Sequence, residues 1–138
     1  MALFNKLGNY RNFGLLIIRV GLGLMFIFHG YPKLMGGIKE WKEIGQAMGV
    51  LGIHFLPVMW GLLSALTEAV GGLLLLLGIQ FRLVCLLLFI NMVVAAMFHL
   101  HQHSGMAGLM DAAHAIEDGV VFLGLLFVGP GKYSVDKK

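Results

Sequence analysis

Four apolar stretches, Phe13 to Phe28, Phe55 to Ile79, Leu83 to Phe98 and Ala112 to Val128, take up most of a 138-residue chain. A helix that crosses a hydrocarbon layer of about 30 Å needs about 20 mostly apolar residues, so the shorter stretches must extend through their polar flanks. With 59% hydrophobic and 12% charged residues the chain cannot be an ordinary water-soluble core. The expected fold is therefore all-α, an integral membrane four-helix bundle. A single transmembrane domain over residues 1–138 would carry helices near 13–33, 55–79, 82–101 and 111–129.

The apolar runs show none of the alternation of a membrane β-barrel strand. The first stretch has no small-x-small cleavage site and carries Arg19 in its interior, so it reads as a retained helix. Cys85 is the only cysteine, which excludes an intrachain disulfide, a CxxC motif or a Cys-rich metal site. The pI near 9.2 comes from dispersed basic residues without interleaved aromatics, so no nucleic-acid partner is expected.

Four spans put both termini on one side together with the turn near Arg82, and that side holds Lys6, Arg11, Arg82, Lys132, Lys137 and Lys138. Lys33, Lys39 and Lys42 on the other side are offset by Glu40 and Glu43. The positive-inside rule then places both termini in the cytoplasm. Ile38, Trp41, Ile44 and Met48 recur at helical spacing among Lys and Glu, which predicts a short amphipathic helix lying in the outer interface between the first two spans. With this orientation all six histidines fall at or beyond the outer helix ends.

Ionisable residues inside a span are costly, so they face the bundle and find partners. Counted at 1.5 Å per residue, Arg19 and Glu68 both lie roughly 10 to 15 Å above the inner boundary, which predicts an ion pair between them. Asn91 reaches a comparable depth and would complete the network. Gly61, Ser64, Gly71 and Gly72 share the face of Glu68, and Gly23 follows Arg19 by one turn, so helix backbones can approach closely there. A packing latch and a role in proton or quinone handling both fit these residues.

A second polar layer lies further out. His29 and Lys33 are one turn apart, His99 and His103 are spaced i,i+4, and His114 precedes Glu117 by three and Asp118 by four. Imidazole and carboxylate suit a transition metal, which makes His99, His103, His114 and Glu117 a candidate metal set, although no complete motif such as HExxH is present. The same chemistry can exchange the protons of a quinone, with His29, His114 and Glu117 as the catalytic candidates. Arg19, Lys33, Glu68 and Asn91 are the candidate cofactor-binding residues. His54 and His101 read as interfacial or solvated.

The run Arg19-Val-Gly21-Leu-Gly23-Leu-Met-Phe26-Ile-Phe-His29-Gly30-Tyr-Pro-Lys33 resembles the DoxX family of small membrane proteins. Glu68 followed by Gly71-Gly72, Arg82 opening the third helix, and the ending Gly129-Pro130-Gly131-Lys132-Tyr133-Ser134-Val135-Asp136 agree with it. The resemblance covers almost the whole chain and implies a four-helix membrane bundle. It also implies several functions, since members include a membrane subunit of thiosulfate:quinone oxidoreductase, proteins linked to catechol or quinone stress, and eukaryotic relatives resembling chaperones or cargo receptors.

The leading expectation is a multi-pass protein of the bacterial inner membrane that serves a quinone-linked redox system and binds a quinone or similar small molecule near the outer face. A partner protein would supply electrons, because the chain has no flavin or haem attachment motif. A non-enzymatic membrane adaptor for a partner protein and a His/carboxylate metal-binding membrane protein are the alternatives. Gly-rich faces such as Gly71-Gly72 suit packing within the chain or a homo-oligomer.

Overall fold

A computed structural model describes residues 2–136, and it is helical with no strand among those residues. A 3₁₀ segment, Ala2–Tyr10, leads into α1, Arg11–Met35. A short helix α2, Gly37–Gly45, and a 3₁₀ segment, Gln46–Leu51, precede α3, Pro57–Leu77. Then come α4, Phe81–Gln102, and α5, Gly105–Val128. The helical segment Phe4–Met35 and helices α3 and α4 are long and apolar enough to cross a membrane. Helix α5 has a span's length but also carries Asp111, Glu117 and Asp118.

Glycine sets how the helices pack. A Cβ on Gly23 would lie 2.7 Å from the Gly72 carbonyl oxygen, and one on Gly30 would run into the Ala69 backbone. Removing both side chains lets α1 and α3 pack backbone to backbone, where dispersion contacts are densest. Gly45 and Gly61 do the same for α2 and α3, since a Cβ on Gly61 would overlap the Trp41 backbone. A short helix therefore forms where one was expected, as α2 carrying Ile38, Trp41 and Ile44, docked on the start of α3, with Met48 in the 3₁₀ segment that follows. Its Trp41 indole donates to the Lys33 carbonyl at 3.0 Å, satisfying one of the open carbonyls at the end of α1.

Helices α4 and α5 form the other close pair, joined by His103 and Ser104 alone. Gly105 adopts φ 67° at this reversal, a left-handed conformation with no steric cost for glycine. Helix α5 consequently begins six residues before the expected position 111. At the opposite end Gly78, with φ 69°, closes α3, and Gln80 leads directly into α4.

The backbones of α1 and α5 stay apart, and side chains bridge the gap. Phe26 and Phe122, both buried, meet edge to face with ring centroids 4.9 Å apart. Leu75, Phe81, Cys85 and Leu88 complete the centre of the core. The outer surface is apolar, with Phe28 and Phe127 among its most exposed side chains, as expected where lipid is the solvent.

Candidate functional site

The polar side chains of the long helices sort into three groups, two inside the bundle and one on its surface. The first is centred on Glu68, which is 4% exposed in the middle of α3. Lys33 Nζ donates to both of its carboxylate oxygens, at 2.9 Å to Oε1 and 2.7 Å to Oε2. Asn91 Nδ2 on α4 donates to Oε1 at 3.0 Å, and Ser64 Oγ donates to Asn91 Oδ1 at 2.8 Å. Ser64 and Glu68 are i,i+4 on α3 and so share the face that α4 covers. Asn91 thus completes the Glu68 network as expected, but its cation is Lys33. Ser64 was legible from its spacing, though as a small packing residue.

Arg19 lies in a different layer, 1% exposed near the chain termini. Its guanidinium donates to the carbonyls of Leu75 at 3.3 Å, Leu76 at 2.9 Å and Pro130 at 2.8 Å. The expected Arg19–Glu68 ion pair is not formed. The Gly23–Gly72 contact fixes the offset of α1 against α3, so Arg19, one turn before Gly23, meets the last turn of α3. Glu68 is seven residues from Leu75, about 10 Å along the axis. A cation at a helix C-terminus satisfies orphan carbonyls and the helix dipole together.

The residues after α5 lace this end shut. The Lys132 N–H donates to Asn12 Oδ1 at 2.9 Å, and the N–H groups of Val135 and Asp136 donate to the carbonyls of Leu77 and Gly78 at 3.1 and 2.9 Å. Asp136 Oδ2 accepts from the Phe81 N–H at 3.0 Å, capping the first turn of α4. Arg82 donates to the Leu126 carbonyl at 2.7 Å near the end of α5. The Gly-Pro-Gly-Lys-Tyr-Ser ending therefore acts as a strap across the terminal end of the bundle.

The third group lies at the surface where α1 and α5 face each other, with His29 exposed and the His114 side chain 72% exposed. The rings of His29 and His114 are 5.8 Å apart, and His114 Nε2 lies 3.4 Å from Asp118 Oδ2. Asp118 is largely buried, whereas Glu117 is exposed on the surface of α5. The carboxylate in contact with His114 is Asp118, the neighbour of the expected Glu117. Spacing from His114 leaves both acids in reach, and only the rotation of α5 against α1 selects between them.

The proposed metal set is not assembled. Helix α4 ends at Gln102 and His103 is extended, with φ −127° and ψ 135°, so the i,i+4 pairing with His99 is lost. His103 Nδ1 meets Asp111 Oδ2 at 2.7 Å, and His114 faces His29. Among the described residues no group of three or more His, Cys, Asp or Glu side chains is arranged to hold a metal ion.

A cavity of about 520 Å³ opens between α2, α3 and α4, with Lys33, Glu68, Asn91, Ser64 and Thr67 as its polar lining. Ile44, Met48, Trp60, Val94 and Phe98 supply apolar wall, and His99 borders it at the far end of α4. An apolar chamber with a few convergent polar groups is the usual form of a small-molecule site. An ammonium has three N–H donors and a primary amide two. Glu68 occupies two of the former and one of the latter, which leaves Lys33 and Asn91 each able to donate once more to a guest.

Comparison with known proteins agrees with this architecture. The family model for DoxX matches residues 14–102. Inner membrane protein YqjF of Escherichia coli (strain K12) is 33% identical over 127 residues, covering 90% of each chain. No solved structure matches the chain. The helices, the apolar exterior and the family match agree with the localisation expected from the sequence, a multi-pass protein of the bacterial inner membrane. The buried Arg19 and Glu68 and the half-buried Asn91, on which the bundle is organised, all lie within the matched region, and the chain belongs to the DoxX family.

Proposed function

We propose that the protein is a membrane component of a quinone-linked redox system, and that it binds a quinone or a similar small molecule in the cavity between α2, α3 and α4. The observation that carries this reading is the donor set at the cavity base. Lys33 and Asn91 are held by Glu68 with N–H groups to spare, so the chamber favours a guest whose ring bears acceptor oxygens. Apolar walls suit the body of such a ring, and the volume lies within the range of small-molecule sites.

Reduction of a quinone to its quinol takes up two electrons and two protons. The electrons would come from the redox cofactor of a partner protein. The protons would pass through ionisable side chains, and His29 and His114 with Asp118 provide such groups on the α1–α5 side, His29 one helical turn along α1 from Lys33. In this reading Arg19 has no contact with the guest and serves the bundle.

The test is saturable binding of a ubiquinone or menaquinone analogue to protein in lipid nanodiscs. Asn91→Leu should weaken binding at least tenfold while Arg82→Gln, at the terminal end, leaves it unchanged. Absence of saturable binding to the wild type, together with unchanged quinol oxidation in membranes lacking the protein, would falsify the reading.

A further inference from the structure

The cavity is not walled evenly. Its polar base stands near the middle of two long helices, with Glu68 about halfway along the 21-residue α3 and Asn91 about halfway along the 22-residue α4. On the α3–α4 side, the lining residues Leu63, Leu87 and Ile90 are 49%, 45% and 50% exposed. These three side chains border the chamber and the molecular surface at once, at a depth where the surroundings are lipid. Of the long-helix pairs whose backbones meet, α3 and α4 also approach least closely along their length. These residues give the chamber a side mouth between α3 and α4, besides an exposed rim at Glu43 and Leu51 on the side of α2 and the 3₁₀ segment.

At the terminal end, Arg19 and the strap after α5 tie the helix ends together. A guest reaching Lys33 and Asn91 through the side mouth never has to cross that end, and it arrives from the phase in which an apolar molecule is already concentrated.

The geometry points to a ligand that is a membrane-dissolved ring compound with an aliphatic tail, its ring lodged against Lys33 and Asn91 and its tail passing between Leu63, Leu87 and Ile90 into the lipid. This rests on the reading of the cavity as a quinone-type site and deepens it by naming the route and the class. The tail stays in hydrocarbon before and after binding, so it adds no desolvation cost. Leu63, Leu87 and Ile90 are then the residues that admit or refuse a tail, and the polar base recognises the ring.

Two probes with one headgroup separate the cases: decylubiquinone and the same dimethoxy-methyl-benzoquinone without its tail. Binding to wild-type protein in nanodiscs is followed by quenching of indole fluorescence, since Trp60 lines the cavity, with affinities expressed per membrane concentration of probe. The tailed probe is expected to bind within about threefold of the tail-less one. Ile90→Trp and, on the facing helix, Leu63→Trp should each weaken the tailed probe at least tenfold and leave the tail-less probe within twofold. Exclusion of the tailed probe from the wild type, or loss of neither or of both probes alike in the two variants, overturns the lateral route and leaves the cavity reading standing. Failure of both probes to bind the wild type overturns the cavity reading and this inference with it.

Discussion

Lys33 holds both carboxylate oxygens of Glu68, at 2.9 and 2.7 Å, across the α1–α3 contact. A charge inside a span is tolerated because a partner accompanies it, and removing one partner strands the other. Lys33→Met is expected to destabilise the bundle by about 2 to 3 kcal/mol, below the range of about 3 to 5 kcal/mol for a fully buried pair because the lysine side chain is partly exposed. Lys33→Met combined with Glu68→Gln should recover most of that loss. Unfolding in mixed micelles with increasing SDS fraction measures both.

A double-mutant cycle distinguishes Lys33 from Arg19 on α1. Lys33 and Glu68 should show a coupling of about 1 kcal/mol or more, whereas Arg19 and Glu68, in separate layers, should be additive within about 0.5 kcal/mol. Strong Arg19–Glu68 coupling would mean that α1 and α3 sit in a different register.

Arg19→Gln removes charge-assisted bonds to three carbonyls, two of them at the end of α3. A loss of about 2 to 4 kcal/mol is expected, since hydrogen bonds to charged groups are worth about 1.5 to 3 kcal/mol each and the glutamine amide keeps part of the set. Limited proteolysis should cut the segment after Pro130 faster in this variant. An unchanged cleavage rate would count against the strap.

Gly30→Ala places a methyl group on the Ala69 backbone and should cost about 1 to 3 kcal/mol by forcing α1 away from α3. Gly21→Ala is the matched control, because a Cβ there meets nothing within 4 Å. It should be neutral or stabilising by up to about 1 kcal/mol through helix propensity. Equal effects at the two positions would rule out the tight α1–α3 contact.

Asp136→Ala removes the side-chain cap on the Phe81 N–H, with an expected cost of about 1 kcal/mol. Hydrogen exchange of the first turn of α4 should rise while that of α3 near Glu68 stays unchanged. Protection at Phe81 that persists in the variant would show that the tail does not cap the helix.

Hydropathy alone determined that the solvent is lipid and that the fold is helical, because a backbone in hydrocarbon must satisfy its hydrogen bonds within each segment, while α5 starts six residues earlier than its apolar stretch implied. Local spacing was also enough to place Glu68 on a small-residue face, to bring in Asn91 and to expect the short helix that became α2. The tertiary structure decided which charges meet. Lys33 rather than Arg19 pairs with Glu68, because the offset of α1 against α3 is set by Gly23, Gly30 and Gly72 at contacts that a count from apolar boundaries does not contain. Asp118 rather than Glu117 joins His29 and His114, and His103 leaves His99, because the rotation of α5 and the end of α4 at Gln102 depend on how the two hairpins close. Helix periodicity defines faces within one element, while register between elements is a property of packed surfaces.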